Sequence, residues 1–159
     1  MGFRIILLFC IAMTFNTVLA DNCKSPYVRI GDGCYFISND KVSGDKAFAL
    51  CAKRGAYLAN FETLEEAMIM KLELQQRNSG VHYYVGGRNV NRHVSGGDWR
   101  WIKNGQMTQM TYNAFGDGEP NGSFASPQDC MYFYALDRYH FYNVYCDNGT
   151  NIGGYICEK

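Results

Sequence analysis

The chain is 159 residues long, with 15 basic and 15 acidic residues, 15% aromatic residues and seven cysteines. So even a balance offers no basic face, which excludes nucleic acid and an electrostatic membrane surface as main partners. The length suits one domain, and no repeat, heptad run or low-complexity linker divides it.

In chain order, Met1–Arg4 is short and positive, and Ile5–Phe15 is apolar. Val18-Leu19-Ala20 then places small or modest residues where a signal peptidase reads. The apolar run is short for a bilayer span, and no second one follows. These features predict a signal peptide over residues 1–20 and a secreted, extracellular chain from residue 21, with an uncleaved anchor as the alternative. Cleavage removes Cys10 and leaves Cys23, Cys34, Cys51, Cys130, Cys146 and Cys157. An even number in an exported chain reads as three disulfides, with fifteen pairings open. Zinc is the competing use, but no Cys-x-x-Cys pair occurs and the three histidines are scattered.

A helix is predicted over Ser43–Arg54, with Ser43 as N-cap, Gly55 as the stop, and Ala47, Phe48, Leu50 and Cys51 on one broad face. A second follows the capping box Thr63-Leu64-Glu65-Glu66. Leu64, Met68 and Leu72 recur every four residues as an expected core stripe, and Asn78 and Gly80 end the run. Short strands and glycine turns come next: His82–Val85, then Trp99–Ile102 running into the hairpin signal Asn104-Gly105. Met131–Leu136, Phe141–Cys146 and Tyr155–Cys157 complete the strands. Two long polar loops, Gly86–Asp98 and Thr108–Asp129, separate them, and loops of that length are usually functional or disordered. Two helices followed by antiparallel strands make an α+β domain.

Catalytic readings fail. No Gly-x-Ser-x-Gly or His-Glu-x-x-His occurs, and His82, His93 and His140 have no evident partner in sequence. The chain reads as no enzyme. The stretch Gly116–Ser123, "GDGEPNGS", is one residue too long for a dinucleotide fingerprint and carries Pro120 where a helix should begin. Asp117-x-Glu119-x-Asn121-Gly122 imitates half of an EF-hand, with Gln128 at the twelfth position. The terminal glutamate and the flanking helices are missing, however. Oxygens suited to a hard cation remain on Glu119 and Asn121, and a cis peptide at Glu119-Pro120 would aim both side chains one way. An ordinary Gly/Asn/Pro turn is the alternative.

In order along the chain, "YYVGGRN" at Tyr83–Asn89, "WRWIKNG" at Trp99–Gly105, "EPN" at Glu119–Asn121, "YNVYC" at Tyr142–Cys146 and the closing "GYICEK" resemble the C-type lectin domain. The resemblance covers nearly all of residues 21–159 and implies a long-form, secreted single-domain lectin. It pairs Cys23 with Cys34, Cys51 with Cys157 and Cys130 with Cys146. It further implies one calcium ion bound beside vicinal equatorial sugar hydroxyls, as on mannose, N-acetylglucosamine or fucose.

Glu119, Asn121 and Asn143 match the family's ligands. Gln128 stands where the family has glutamate, and Val144 where it has aspartate, leaving only a backbone carbonyl. One carboxylate in place of three implies weak calcium binding, about 10⁻³ M or worse. Arg92, Gly96 and Gly122 sit about where the acids of an auxiliary site would be, and Asp129 lies outside the ligand register. Tyr142, His140 and Phe124 offer rings for the apolar face of a sugar. Asn121-Gly122-Ser123 and Asn148-Gly149-Thr150 are glycosylation sequons, with Asn148 the expected acceptor.

The leading expectation is a lectin for glycans on cells or microbes, serving innate immunity. A shallow single site implies self-association as a homo-oligomer or clustered glycans. The alternative is a protein- or matrix-binding module without functional calcium.

Overall fold

The computed structural model describes residues 23–159 except 95 and 148. The expected signal peptide and Asn148 lie outside the described residues. The elements are β1 (Val28–Ile30), β2 (Gly33–Val42), α1 (Gly44–Lys53), β3 (Tyr57–Leu58), α2 (Leu64–Arg77), β4 (Tyr83–Asn89), β5 (Trp99–Lys103), β6 (Gln106–Gln109), β7 (Cys130–Tyr134), β8 (His140–Val144) and β9 (Gly153–Glu158). They form an α+β domain. The main path of the sheet runs β1-β2-β9-β4-β5-β6, with β7 pairing β4 and β8 pairing β7. All pairings are antiparallel except β4 with β9.

The central strands alternate between two cores, as a period of two dictates. Tyr83 and Val85 of β4, Met131 and Phe133 of β7, Phe141 of β8 and Ile156 of β9 enter one core with Phe61, Trp101 and the α2 residues Ala67, Met70 and Leu74. Tyr84, Tyr132, Val144, Tyr155 and Cys157 enter the other with Ala47 and Cys51 of α1. Each helix therefore covers one face of the sheet. The three disulfides are Cys23–Cys34, Cys51–Cys157 and Cys130–Cys146. The second closes a separation of 106 residues and ties α1 to the last strand. In the loop-entropy account such a closure contributes about 4–5 kcal/mol.

Local signals act as read. Ser43 accepts the Lys46 N–H, and the Thr63–Glu66 capping box closes in both directions. Asn104 and Gly105 both take positive φ at the β5–β6 turn. The helix faces differ from expectation. Leu64, Met68 and Leu72 are 47%, 52% and 56% exposed, while Ala67, Met70 and Leu74 are buried. α2 carries two apolar stripes, and the sheet has only one surface to cover them. Phe48 on α1 is also outside the core, at 49% exposure. The long strand β2 went unread because its burial follows no clean alternation.

The long loop begins after β6, since Thr108 and Gln109 pair with Trp101 and Arg100, and residues 110–129 are not free. The Tyr112 hydroxyl donates to the Phe61 carbonyl at 2.7 Å. The backbone around Phe115 pairs with Phe141, and the Gly116 N–H donates to the Phe141 carbonyl at 3.0 Å. Its first half is thereby stitched to β8, and its second half is held over the Asn143 end of that strand.

Candidate functional site

Four sequence-predicted residues converge at the end of β8. The Glu119–Pro120 peptide is cis. Asn143, only 3% exposed, accepts the Asn121 backbone N–H on its Oδ1 at 3.1 Å. The Asn121 Nδ2 donates to Glu119 Oε1 at 2.9 Å, and Gln128 Nε2 donates to Asn121 Oδ1 at 3.1 Å. A long contact of 3.5 Å from Asn143 Nδ2 to the Gln128 carbonyl closes the circuit. Asn143 thus forms a buried footing beneath an exposed Asn121, with Glu119 and Gln128 half-buried on either side. Gly122 is required here. A Cβ at that position would lie 2.8 Å from Asn143 Nδ2 and 3.0 Å from the Gln128 Cβ.

Glu119 is the one charged member. Burial pushes its carboxyl above the ordinary glutamate value, and the Asn121 backbone N–H partly offsets this. Its Oε2 is buried and has no hydrogen-bond partner among the described residues. That orphaned oxygen is the feature most favourable to a cation; the rest of the donor set is not. Calcium takes six to eight oxygens at about 2.3–2.6 Å. Here the Asn121 Oδ1 and Asn143 Oδ1 already accept N–H groups, and amide nitrogens of Asn121 and Gln128 point into the cluster. Val144 is 4% exposed and packs with Tyr84, Tyr132 and Cys130, so its side chain serves the core. These residues fit calcium poorly. Among the described residues the only group of three metal-ligating types is Asp45 with Cys130 and Cys146, whose sulfurs form a disulfide.

The neighbouring position, where the resemblance implies auxiliary acids, holds a guanidinium. Arg92 Nε donates to Asp129 Oδ2 at 2.6 Å, and Arg92 Nη2 donates to the same oxygen. Asn89 Nδ2 donates to Asp129 Oδ1 at 3.2 Å. Asn89 Oδ1 in turn accepts the Asn91 and Asp98 N–H groups at 3.2 and 2.9 Å. Asp129 is 7% exposed and fully engaged, so it does not join the Glu119 network. This ion pair organises the 89–98 loop and was not read from sequence. The acid at 129 and the base at 92 lie on separate loops, and only the fold joins them.

The three rings separate. Phe124, 65% exposed, stacks on His93 with centroids 4.9 Å apart, close in sequence to Asn121. Tyr142 packs on Tyr134 at 4.5 Å, on the face of β8 opposite Asn143. Its hydroxyl donates to Asp137 Oδ2 at 3.3 Å. His140, read as partnerless, meets the same oxygen through Nδ1 at 3.0 Å. That contact is the main cause holding the Asp137 carboxyl below its usual range.

Residues 40–159 match the family model described as the lectin C-type domain. The chain is 26% identical over 136 residues to C-type lectin domain family 6 member A of Homo sapiens, covering 86% of this chain. It spans 60% of that relative's length and 54% of the hepatic lectin of Gallus gallus. The fold resembles the solved complex of SPL-1 with GlcNAc, with a TM-score of 0.71, 22% identity, and 87% and 95% of the two chains covered. It also resembles the calcium-independent C-type lectin SPL-2 from Saxidomus purpuratus, with a TM-score of 0.70, 24% identity and coverage of 87% and 94%.

Proposed function

The chain belongs to the C-type lectin domain family, whose matched members are binding proteins rather than enzymes, and from that premise we propose that it binds sugar hydroxyls directly on the Glu119–Asn121–Gln128–Asn143 network. The single observation that carries this reading is the hydrogen-bond circuit in which Asn143 bonds the backbone of Asn121 and Gln128, Gln128 bonds the Asn121 amide, and that amide bonds Glu119. It presents a carboxylate acceptor beside amide donors. A vicinal pair of equatorial hydroxyls, as on mannose, N-acetylglucosamine or fucose, can donate to Glu119 and accept from Asn121 or Gln128. Asn143 holds Asn121 in place from below, and Phe124 with His93 offers an apolar surface alongside.

Because the donor set fits calcium poorly, no part of this recognition is assigned to a metal. Each hydroxyl contact replaces a contact with water, so a single site is weak and useful affinity comes from several sites acting together. The leader-like first twenty residues support an extracellular setting, where glycans on cells or microbes are the accessible partners. Among the described residues no helix is long and apolar enough to cross a membrane.

The test is binding to immobilised mannose and N-acetylglucosamine glycans, with calcium and with chelator. The expected result is binding that survives chelation and falls at least about tenfold in Glu119→Ala, since hydrogen bonds to charged groups contribute about 1.5–3 kcal/mol. Absence of glycan binding under both conditions would overturn the reading and leave a protein- or matrix-binding module.

A further inference from the structure

Among the described residues, nothing covers an apolar stripe on the outer face of α2. Leu64, Met68, Ile69 and Leu72 are 47%, 52%, 38% and 56% exposed. Leu64, Met68 and Leu72 stand one turn apart, so they form a continuous stripe about 12 Å long. A shallow groove along the same face is lined in part by Glu65, Met68, Lys71, Leu72 and Gln75. Gln75 Nε2 donates to the Arg138 carbonyl at 3.0 Å, which holds the following turn, with Leu136 77% exposed, near the helix. Single exposed apolar residues need no explanation, whereas a contiguous stripe marks an interaction surface.

The pattern along the stripe selects its occupant. It is symmetric about Met68. A two-fold axis there, with two helices antiparallel, sets Leu64 against the partner's Leu72 and Met68 against the partner's Met68. The same axis sets Glu65 opposite the partner's Lys71 and Lys71 opposite the partner's Glu65. Among the described residues neither Glu65 nor Lys71 lies within ion-pair distance of an opposite charge, although Lys71 also feels the Asp137 carboxylate of its own chain. Acid gathers at the start of the helix in Glu65 and Glu66, and base toward its end in Lys71 and Arg77. Antiparallel pairing therefore also opposes the acidic start of one helix to the Lys71 region of the other, while Glu73 and Arg77 neutralise each other near the helix end.

We propose that α2 is the interface of a homodimer in which two copies of this chain pack their helices antiparallel about Met68. Self-complementarity of this kind belongs to a closed two-fold interface, in which one patch serves both partners. A single helix pair is a small contact, so a weak, concentration-dependent dimer is expected. None of Glu119, Asn121, Gln128 and Asn143 lines the grooves beside α2, so both networks stay open on one particle. The proposal does not depend on what those networks bind.

Sedimentation of the full chain, from micromolar to millimolar concentration, tests it. The wild type is expected to show a reversible monomer–dimer equilibrium. Met68→Glu, which places two carboxylates at the axis, is expected to abolish the dimer without lowering the Tm of the dilute protein. Glu65→Lys alone and Lys71→Glu alone should each weaken the dimer by about tenfold or more. The double exchange should restore it. All these positions are on the surface, so the variants fold. A wild type that stays monomeric overturns the proposal and assigns the stripe to a different partner. A dimer that survives Met68→Glu, or one that the double exchange fails to restore, overturns it equally.

Discussion

Two neighbouring loop regions solve the same electrostatic problem in different ways. Around Asn121, a single carboxylate is surrounded by three amides whose N–H groups bond the oxygens, leaving Glu119 Oε2 buried and unmatched. Around Asp129, one carboxylate is closed by the Arg92 guanidinium and the Asn89 amide, with both of its oxygens engaged. At Asp129 the Arg92 guanidinium supplies the positive charge that the resemblance would assign to an ion, whereas at Glu119 only the neutral Asn121 amide reaches the carboxylate. The difference lies in completeness. The Asp129 cluster has both carboxylate oxygens bonded, whereas the Glu119 cluster leaves Oε2 without a partner among the described residues.

The largest expected effect breaks the completed cluster. Arg92→Ala leaves the 7% exposed Asp129 carboxylate without its cation; Arg92 itself is 47% exposed, so the cost comes from stranding the buried acid rather than from a fully buried pair. Thermal unfolding should show a Tm drop larger than any substitution in the Glu119 network produces. A variant as stable as the wild type would refute a structural role for the pair. Asn143→Ala comes next. It strands the Asn121 N–H and empties a buried position, at about 1–3 kcal/mol, so Tm and glycan binding should fall together. If binding survives at wild-type strength, Asn143 is not the footing of the site.

Gln128→Glu sharpens the contrast from the other side. It replaces the amide that donates to Asn121 Oδ1 with a second carboxylate, setting like oxygens together with no donor between them. The variant is expected to gain a calcium-dependent rise in Tm that the wild type lacks, because calcium affinity follows ligand charge and binding to the folded state stabilises it. An identical calcium response in the two proteins would show that charge count is not what keeps the ion out.

The smallest effect is a pH dependence. Burial raises the folded-state Glu119 carboxyl above its ordinary value of 4.5. A raised carboxyl contributes stability that is fully present below its unfolded value and lost as pH rises through the folded one. Acidification through that window should therefore raise stability slightly while weakening glycan binding, as the acceptor becomes protonated. Glu119→Gln should flatten both trends. Parallel loss of binding and stability with acid would place the controlling group elsewhere.

Several features were legible because their causes are local or carried by the family resemblance. The Thr63–Glu66 capping box, the Asn104-Gly105 turn and the Ser43 cap depend on residues a few positions apart. The ordered motifs brought with them the three disulfide pairings and the set Glu119, Asn121, Gln128 and Asn143. The sequence by itself thus determined the fold class and named four residues that the fold brings together at the end of β8. Tertiary structure alone decided which face of α2 is buried, since both stripes are apolar and the sheet covers only one. It also decided that Asp129 belongs to Arg92, that His140 meets Asp137, and that Val144 fills the core. Those choices depend on which surfaces meet across the folded chain, and a one-dimensional pattern carries no distance between distant residues.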